Sequence, residues 1–195
     1  MTTGFILLLV VMGLFGAVAL SYVYYDFKTG VPTFPTMPAV REKIAQLLQD
    51  ELARRPECPS FTVIDLGSGS GQMTEYLART LPTAQIIGIE ISFIPWLRSV
   101  LRQRWNGGPK NLSYRRLDFW TYDIGKADVV IVYQLYTILE RVSAKLRDEL
   151  PSGAVILANT FALAPPWQAE ATFSIPAPLI ASLSGKTDLF LYRKA

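Results

Sequence analysis

The chain has 195 residues, half of them hydrophobic, with 19 Lys and Arg against 16 Asp and Glu and a net charge of +3. That length suits one domain with an appendage. Histidine is absent and Cys58 is the single cysteine, which excludes a Ser-His-Asp or Cys-His catalyst, rules out a disulfide within one chain and argues against a zinc site.

No charged side chain precedes Asp26. The apolar run Gly4 to Tyr25 matches the roughly 20 residues that a helix needs to cross a bilayer. Tyr22, Tyr24 and Tyr25 fall at its C-terminal end, where an aromatic belt sits. Ala17-Val18-Ala19 resembles a signal-peptidase site, but Met1 to Gly4 lacks the Lys or Arg of a secretory n-region. The run therefore reads as an uncleaved transmembrane anchor over residues 1–27. Lys28, Arg41 and Lys43 follow it and nothing basic precedes it, which places the remainder in the cytoplasm by the positive-inside rule. The anchor has the look of a bacterial inner-membrane segment, without the Arg-rich character of a transit peptide.

Residues 28–38 read as a linker, because Pro32, Pro35 and Pro38 forbid helix and favour an extended path. A domain over 39–195 follows. Val40, Ile44, Leu47, Leu48 and Leu52 recur at helical spacing, predicting an amphipathic helix over 39–54. It can pack on a sheet or lie on a membrane surface.

Strands and helices then alternate. Strands are expected at 61–66, 85–90, 112–116, 127–133 and 154–159, and helices at 72–80, 95–105 and 136–150. Apolar strands alternating with helices predict an α/β fold with a parallel sheet covered on both faces. Residues 161–167 are Pro-rich, and late strands are expected at 169–174 and 188–193. No long helix fits between the fifth strand and the next, so the C-terminal part reads as abbreviated, with its pairing open.

Phe61 to Gly71 reads Phe-Thr-Val-Ile-Asp-Leu-Gly-Ser-Gly-Ser-Gly. A buried strand thus runs into Gly67, Gly69 and Gly71, whose bare backbone can approach a ligand closely. A dinucleotide site has G-x-G-x-x-G spacing. The G-x-G-x-G spacing here, preceded by Asp65, resembles motif I of class I S-adenosylmethionine (SAM) methyltransferases. Ligands of open α/β sheets bind outside the C-terminal strand ends. Glu90 closes the second strand about 20 residues after the last glycine, where an acid accepts from both ribose hydroxyls of a nucleoside. An ordinary solvated Glu is the alternative. Asp118 follows the third strand and can accept from an adenine amino group, or cap a helix. Asp65 holds the loop or meets the SAM ammonium group. Tyr133 and Gln134 close the fourth strand, and Tyr136 opens the helix after it. Tyrosine rings there can face a sulfonium or ammonium cation, or simply pack. Trp120, Phe161 and Trp167 line an acceptor channel or fill the core.

Residues 61–167 resemble more than the superfamily. Asp65-Leu66-Gly67-Ser68-Gly69, Ile89-Glu90-Ile91, Asp118-Phe119-Trp120, Lys145 to Leu150 and Asn159 to Leu163 fall in the order seen in the membrane-anchored lysine methyltransferases of the ATP synthase c subunit and adenine nucleotide translocase. The resemblance implies a Rossmann-like class I methyltransferase sheet and SAM-dependent protein-lysine N-methylation. Asp65, Gly67, Ser68, Gly69, Gly71, Glu90 and Asp118 become cofactor-binding residues, and Tyr133 and Gln134 the catalytic candidates. Two departures stand: Ser70 where that family more often has an acid, and Tyr133 to Tyr136, which spell no family motif. The expected partners are a membrane and a protein lysine, with no metal. Other readings are a small-molecule or lipid acceptor, or a non-catalytic SAM-binding subunit. Arg98, Arg102, Arg104, Arg115 and Arg116 form a basic set that RNA could use, although their spacing better suits a solvated face.

Overall fold

β1 (Phe61–Leu66) is a run of apolar and β-branched residues buried almost throughout, as a central strand requires. The computed structural model describes residues 3–30, 34–55, 60–105, 107–178 and 185–195. β1 leads through the glycine turn into α3 (Gln72–Thr80), whose chain is turned out of helix ahead of Pro82. β2 (Ala84–Glu90), α4 (Phe93–Trp105), β3 (Leu112–Arg116), β4 (Val129–Val132), α5 (Tyr136–Glu149) and β5 (Val155–Asn159) follow. β6 (Ala171–Pro176) and β7 (Lys186–Arg193) close the chain, and two helices precede β1: α1 (Thr3–Thr29) and α2 (Pro38–Ala53).

The seven strands form one sheet, ordered β3-β2-β1-β4-β5-β7-β6. β1 pairs in parallel with β2 and β4, and β7 runs antiparallel between β5 and β6. The expected all-parallel sheet therefore has one exception. β7 follows β6 after a stretch shorter than the dozen or more residues that a crossover to a parallel strand needs, and the two pair antiparallel.

The two faces are packed differently. Val40, Ile44 and Leu48 of α2 and Leu77 of α3 meet Val63, Ile86, Ile131 and Leu157. On the other face Leu139, Val142 and Leu146 of α5 meet Ile64, Val130 and Ile156. Each strand alternates between these layers, which is the period-2 consequence of the pleat. The helix expected over 39–54 thus packs on the sheet rather than lying apart. Its C-terminal end is held by Arg193 of β7, which grips both carboxylate oxygens of the buried Glu51 at 2.9 and 3.0 Å.

No helix joins β5 to β6. Residues 160–170 instead form a strap across the α5 face. Leu163 N–H donates to the Tyr192 hydroxyl at 2.9 Å, and Ala164 N–H to Ser143 Oγ at 2.9 Å. The Trp167 indole N–H donates to Ser143 O at 2.9 Å. Phe161, Leu163 and Trp167 join the core cluster there.

Several bounds differ from the sequence expectation. α4 starts at Phe93 rather than 95, because a proline in the first helical turn gives up no intrahelical bond. β4 ends at Val132, which leaves Tyr133 beyond the strand. α1 is apolar and long enough to cross a membrane, with none of its apolar window buried. It continues to Thr29, and Pro38 already belongs to α2, so Phe34–Met37 are the described part of the expected link; residues 31–33, like Cys58, lie outside the described residues.

Candidate active site

All three glycines of the turn have left-handed backbones, with φ +84° at Gly67, +54° at Gly69 and +74° at Gly71. Such values cost an L side chain about 1–2 kcal/mol. Space is short as well. A Cβ on Gly67 would stand 2.5 Å from Gln134 Nε2, and one on Gly71 would stand 2.7 Å from the Tyr114 ring and 2.8 Å from Ser99 Cβ. The turn is tied to β2, where Gly67 N–H and Ser68 N–H both donate to Ile89 O, at 2.9 and 2.8 Å. Its far side is tied to β3 and α4. The Tyr114 hydroxyl donates to Gly71 O at 3.1 Å. Arg102 donates to Ser70 O at 2.8 Å and pairs with Glu75 at 2.5 Å. Arg102 is therefore committed to the loop and drops out of the basic set.

Glu90 is buried at the end of β2. Its Oε2 accepts from Gly69 N–H at 2.8 Å and its Oε1 from Ser92 N–H at 2.7 Å. A carboxylate oxygen has two lone-pair sites, so each oxygen keeps capacity for a ligand hydroxyl. Asp65, at 5 % exposure, takes no hydrogen bond recorded among the described residues. Burial, then the neighbouring Glu90 charge, push its carboxyl up to about 7 from 3.8. Two acids beside a bare-backbone turn suit a nucleoside that carries a cationic amino-acid end. A fixed dinucleotide pyrophosphate would meet repulsion here.

Because the Asp65 pKa is raised on folding, its contribution to stability is full below about 3.8 and is lost as pH rises towards 7. Asp65→Asn is therefore expected to raise the melting temperature at pH 8 by several degrees, with the gain shrinking as pH falls towards 4. Thermal shift across pH checks this. A ligand cation favours the ionised form, so binding of such a ligand should strengthen as pH rises through about 7, and the variant should lose that dependence.

Asp118 caps a 3-10 turn over Phe119–Thr121 and accepts from Trp120 N–H at 3.1 Å. The capping role weighed from the sequence is thus present, and its second oxygen carries no recorded bond. Lys145 holds this segment from behind, donating to Tyr122 O at 2.8 Å and pairing with Glu149 at 2.6 Å. Arg141 stacks over Trp120, 3.9 Å from its centroid.

Leu66, Val132 and Ala158 share one register row. One step beyond it stand Gly67, Tyr133 and Asn159, across three strand ends. Gln134 is buried, and its amide nitrogen donates to Leu66 O at 2.6 Å. It ties β4 to β1 over Gly67, so it acts by positioning the glycine turn. Tyr133 is half-buried, and Tyr136 is 70 % exposed at the rim, its ring 6.0 Å from Phe161.

Some site residues carried little sequence signal. Tyr114 and Thr74, whose hydroxyls bond each other and Gly71 O, act through contacts far apart in sequence. Ser68 Oγ is buried without a partner among the described residues and packs where a Cβ on Gly88 would stand, 2.7 Å away. A glycine inside a strand marks such an approach, and Gly88 in Gln-Ile-Ile-Gly-Ile-Glu was the readable sign. Asn159 Oδ1 is likewise buried and unpartnered among them, and the adjacent Thr160 has φ +74°, rare for a β-branched residue.

Known proteins resemble this chain in sequence and in fold. The mouse adenine nucleotide translocase lysine N-methyltransferase is 32% identical over 108 residues, 54% of this chain but only 45% of that protein. The match thus spans less than half of the mouse relative. A protein-lysine N-methyltransferase of Saccharolobus islandicus (strain REY15A) is 26% identical over 131 residues, 67% of this chain and 79% of its own. Among solved structures, an RNA methyltransferase from Salinibacter ruber in complex with S-adenosyl-L-homocysteine shares the fold at TM-score 0.67 and 23% identity, covering 82% of this chain and 93% of that one. Residues 65–171 match the ANTKMT methyltransferase domain. That stretch runs from Asp65 through the glycine turn, Glu90 and Asp118 to the start of β6, and it is more than half of the chain, which therefore belongs to the ANTKMT methyltransferase domain family.

Proposed function

We propose that this chain is a membrane-anchored, SAM-dependent protein-lysine N-methyltransferase, with residues 1–27 as a single-pass anchor, 28–38 as a linker and 39–195 as a cytoplasmic catalytic domain. The observation that carries the reading is the buried Glu90, which holds the glycine turn through Gly69 while keeping acceptor capacity free. The lysine N-methyltransferase identity of the mouse and Saccharolobus islandicus relatives supports lysine as the acceptor.

Bound SAM supplies a methyl group on a sulfonium, and its transfer to an amine needs alignment more than acid–base machinery. The absence of histidine is then no obstacle. Gly67, Gly69 and Gly71 bring backbone close to the amino-acid end, with Asp65 facing its ammonium group and Ser68 beside it. Glu90 takes the ribose hydroxyls, and Asp118 with its neighbouring aromatics takes the adenine. Gln134 keeps the turn in place. Tyr133, with Tyr136 and Phe161 at the rim, lines the way in for the acceptor. An apolar slot lowers a lysine pKa towards the neutral, nucleophilic form.

Glu90→Ala removes two charge-assisted hydrogen bonds to ribose, each worth about 1.5–3 kcal/mol. SAM binding should weaken by about 100-fold or more, read by calorimetry. Glu90→Gln should fall between the two, and a melting curve of each variant separates lost binding from lost fold. Incubating the full chain with radiolabelled SAM and a membrane or soluble lysate tests the reaction itself. Label on protein, absent with Glu90→Ala, is expected. Label confined to a lipid extract would overturn the lysine acceptor, and binding without any transfer would overturn catalysis.

A further inference from the structure

α4 is packed the wrong way round for a helix of a soluble domain. The residues it buries are Pro95 and Ser99, while Phe93, Leu101 and Arg104 point outward, flanked by Arg98 and Trp105. Trp105 is 85 % exposed, Leu101 41 % and Phe93 38 %. Neither α4 nor β3 contains an Asp or Glu. Arg98 and Arg104 are exposed on α4, and Arg115 and Arg116 at the end of the neighbouring edge strand β3. The Arg116 guanidinium lies 5.2 Å from the Phe93 ring centroid. Large apolar side chains set among arginines, with no acid of their own, form a surface complementary to anionic lipid headgroups over acyl chains. Arginine can bury its stem while its head stays at the polar layer.

A second observation fixes the direction. α1 touches the rest of the chain at α4. Along α1, only Ser21, Tyr22, Tyr25 and Thr29 among the described side chains are partly buried, and all lie near its C-terminal end. An anchor that leaves the bilayer at its tyrosine belt would therefore deliver α4 to the level of the headgroups.

We infer that the outer face of α4, with Arg116 of β3, docks on an anionic bilayer surface and fixes the orientation of the domain on the membrane. The inference rests on the membrane-anchor reading above. Docking confines the domain to one tilt and so selects which acceptors in the plane of the membrane can reach the strand ends.

The full chain serves for the test, with Cys58→Ser and Trp105→Cys carrying a bimane label, in vesicles of phosphatidylcholine alone or mixed with phosphatidylglycerol. The label's emission should shift to the blue in the mixed vesicles only. The shift should be lost with Arg98→Glu and Arg104→Glu together, in a variant whose melting temperature is unchanged. Equal emission in both lipids, or a shift that survives charge reversal, overturns the docking surface. A shift produced by RNA without lipid overturns it in favour of a nucleic-acid face. Flotation with neutral vesicles in high salt reads the anchor separately: failure to float sinks the anchor, whereas flotation without a shift sinks only the docking of α4.

Discussion

Gly71→Val is expected to abolish SAM binding and to lower the melting temperature by roughly 10 °C. Two effects add. The φ of +74° at Gly71 costs a side chain about 1–2 kcal/mol. The new atoms would also run into the Tyr114 ring and Ser99 Cβ, 2.7 and 2.8 Å from the position of Cβ alone, and overpacking of this kind costs about 1–3 kcal/mol. Neither neighbour can yield cheaply. Tyr114 is bonded to Thr74 and to Gly71 itself, and Ser99 is buried in α4. Gly153 supplies the control. Its φ is +81°, yet a Cβ there meets nothing within 4 Å. Gly153→Ala should cost only the backbone strain, about 1–2 kcal/mol, and leave SAM binding intact. Equal losses in the two variants, by thermal melt and calorimetry, would falsify the steric account.

Arg193→Ala should destabilise the domain by about 2–3 kcal/mol without touching the cofactor cradle. The target of the change is Glu51, whose side chain is 7% exposed. Its carboxyl is held below the ordinary carboxylate range, first by the Arg193 hydrogen bonds, with burial opposing and Arg55 assisting. Removing one partner of a buried pair usually costs about 3–5 kcal/mol. The loss here is smaller because Arg55 remains 2.8 Å from Glu51. A lowered acid contributes stability that is present above its ordinary value of 4.5 and lost as pH falls through the folded value. The deficit of the variant should therefore narrow in acid. Denaturant titration at pH 7 and at pH 4 measures both quantities, and a constant deficit across that range would remove the ion pair from the explanation.

Local elements were legible because their causes are local. The apolar run at Phe61–Leu66 and the glycines after it declare a buried strand and a left-handed turn without reference to any other part of the chain. The α5 stripe of Leu139, Val142 and Leu146 was equally plain. Sheet order was not legible beyond the fifth strand. Alternation in Lys186–Arg193 tells which residues are buried, but nothing in it says that β7 wedges between β5 and β6. The site divides in the same manner. Gly67, Gly69, Gly71 and Glu90 stand out by spacing. Tyr114, which packs against Gly71, and Arg102, which grips Ser70, belong to an edge strand and to a helix that looked merely basic. Gln134 sits at the correct strand end, yet its bond to Leu66 O could be seen only once β1 and β4 were neighbours.

The crossing from β5 to β6 leaves that flank of the sheet without a helix of its own. In its place Leu163 and Trp167 pack into the α5-side core, fastened by Ser143 and Tyr192. So short a crossing leaves few residues to build a wall around an acceptor, which accords with the proposed guest, one long side chain of a protein that stays largely outside.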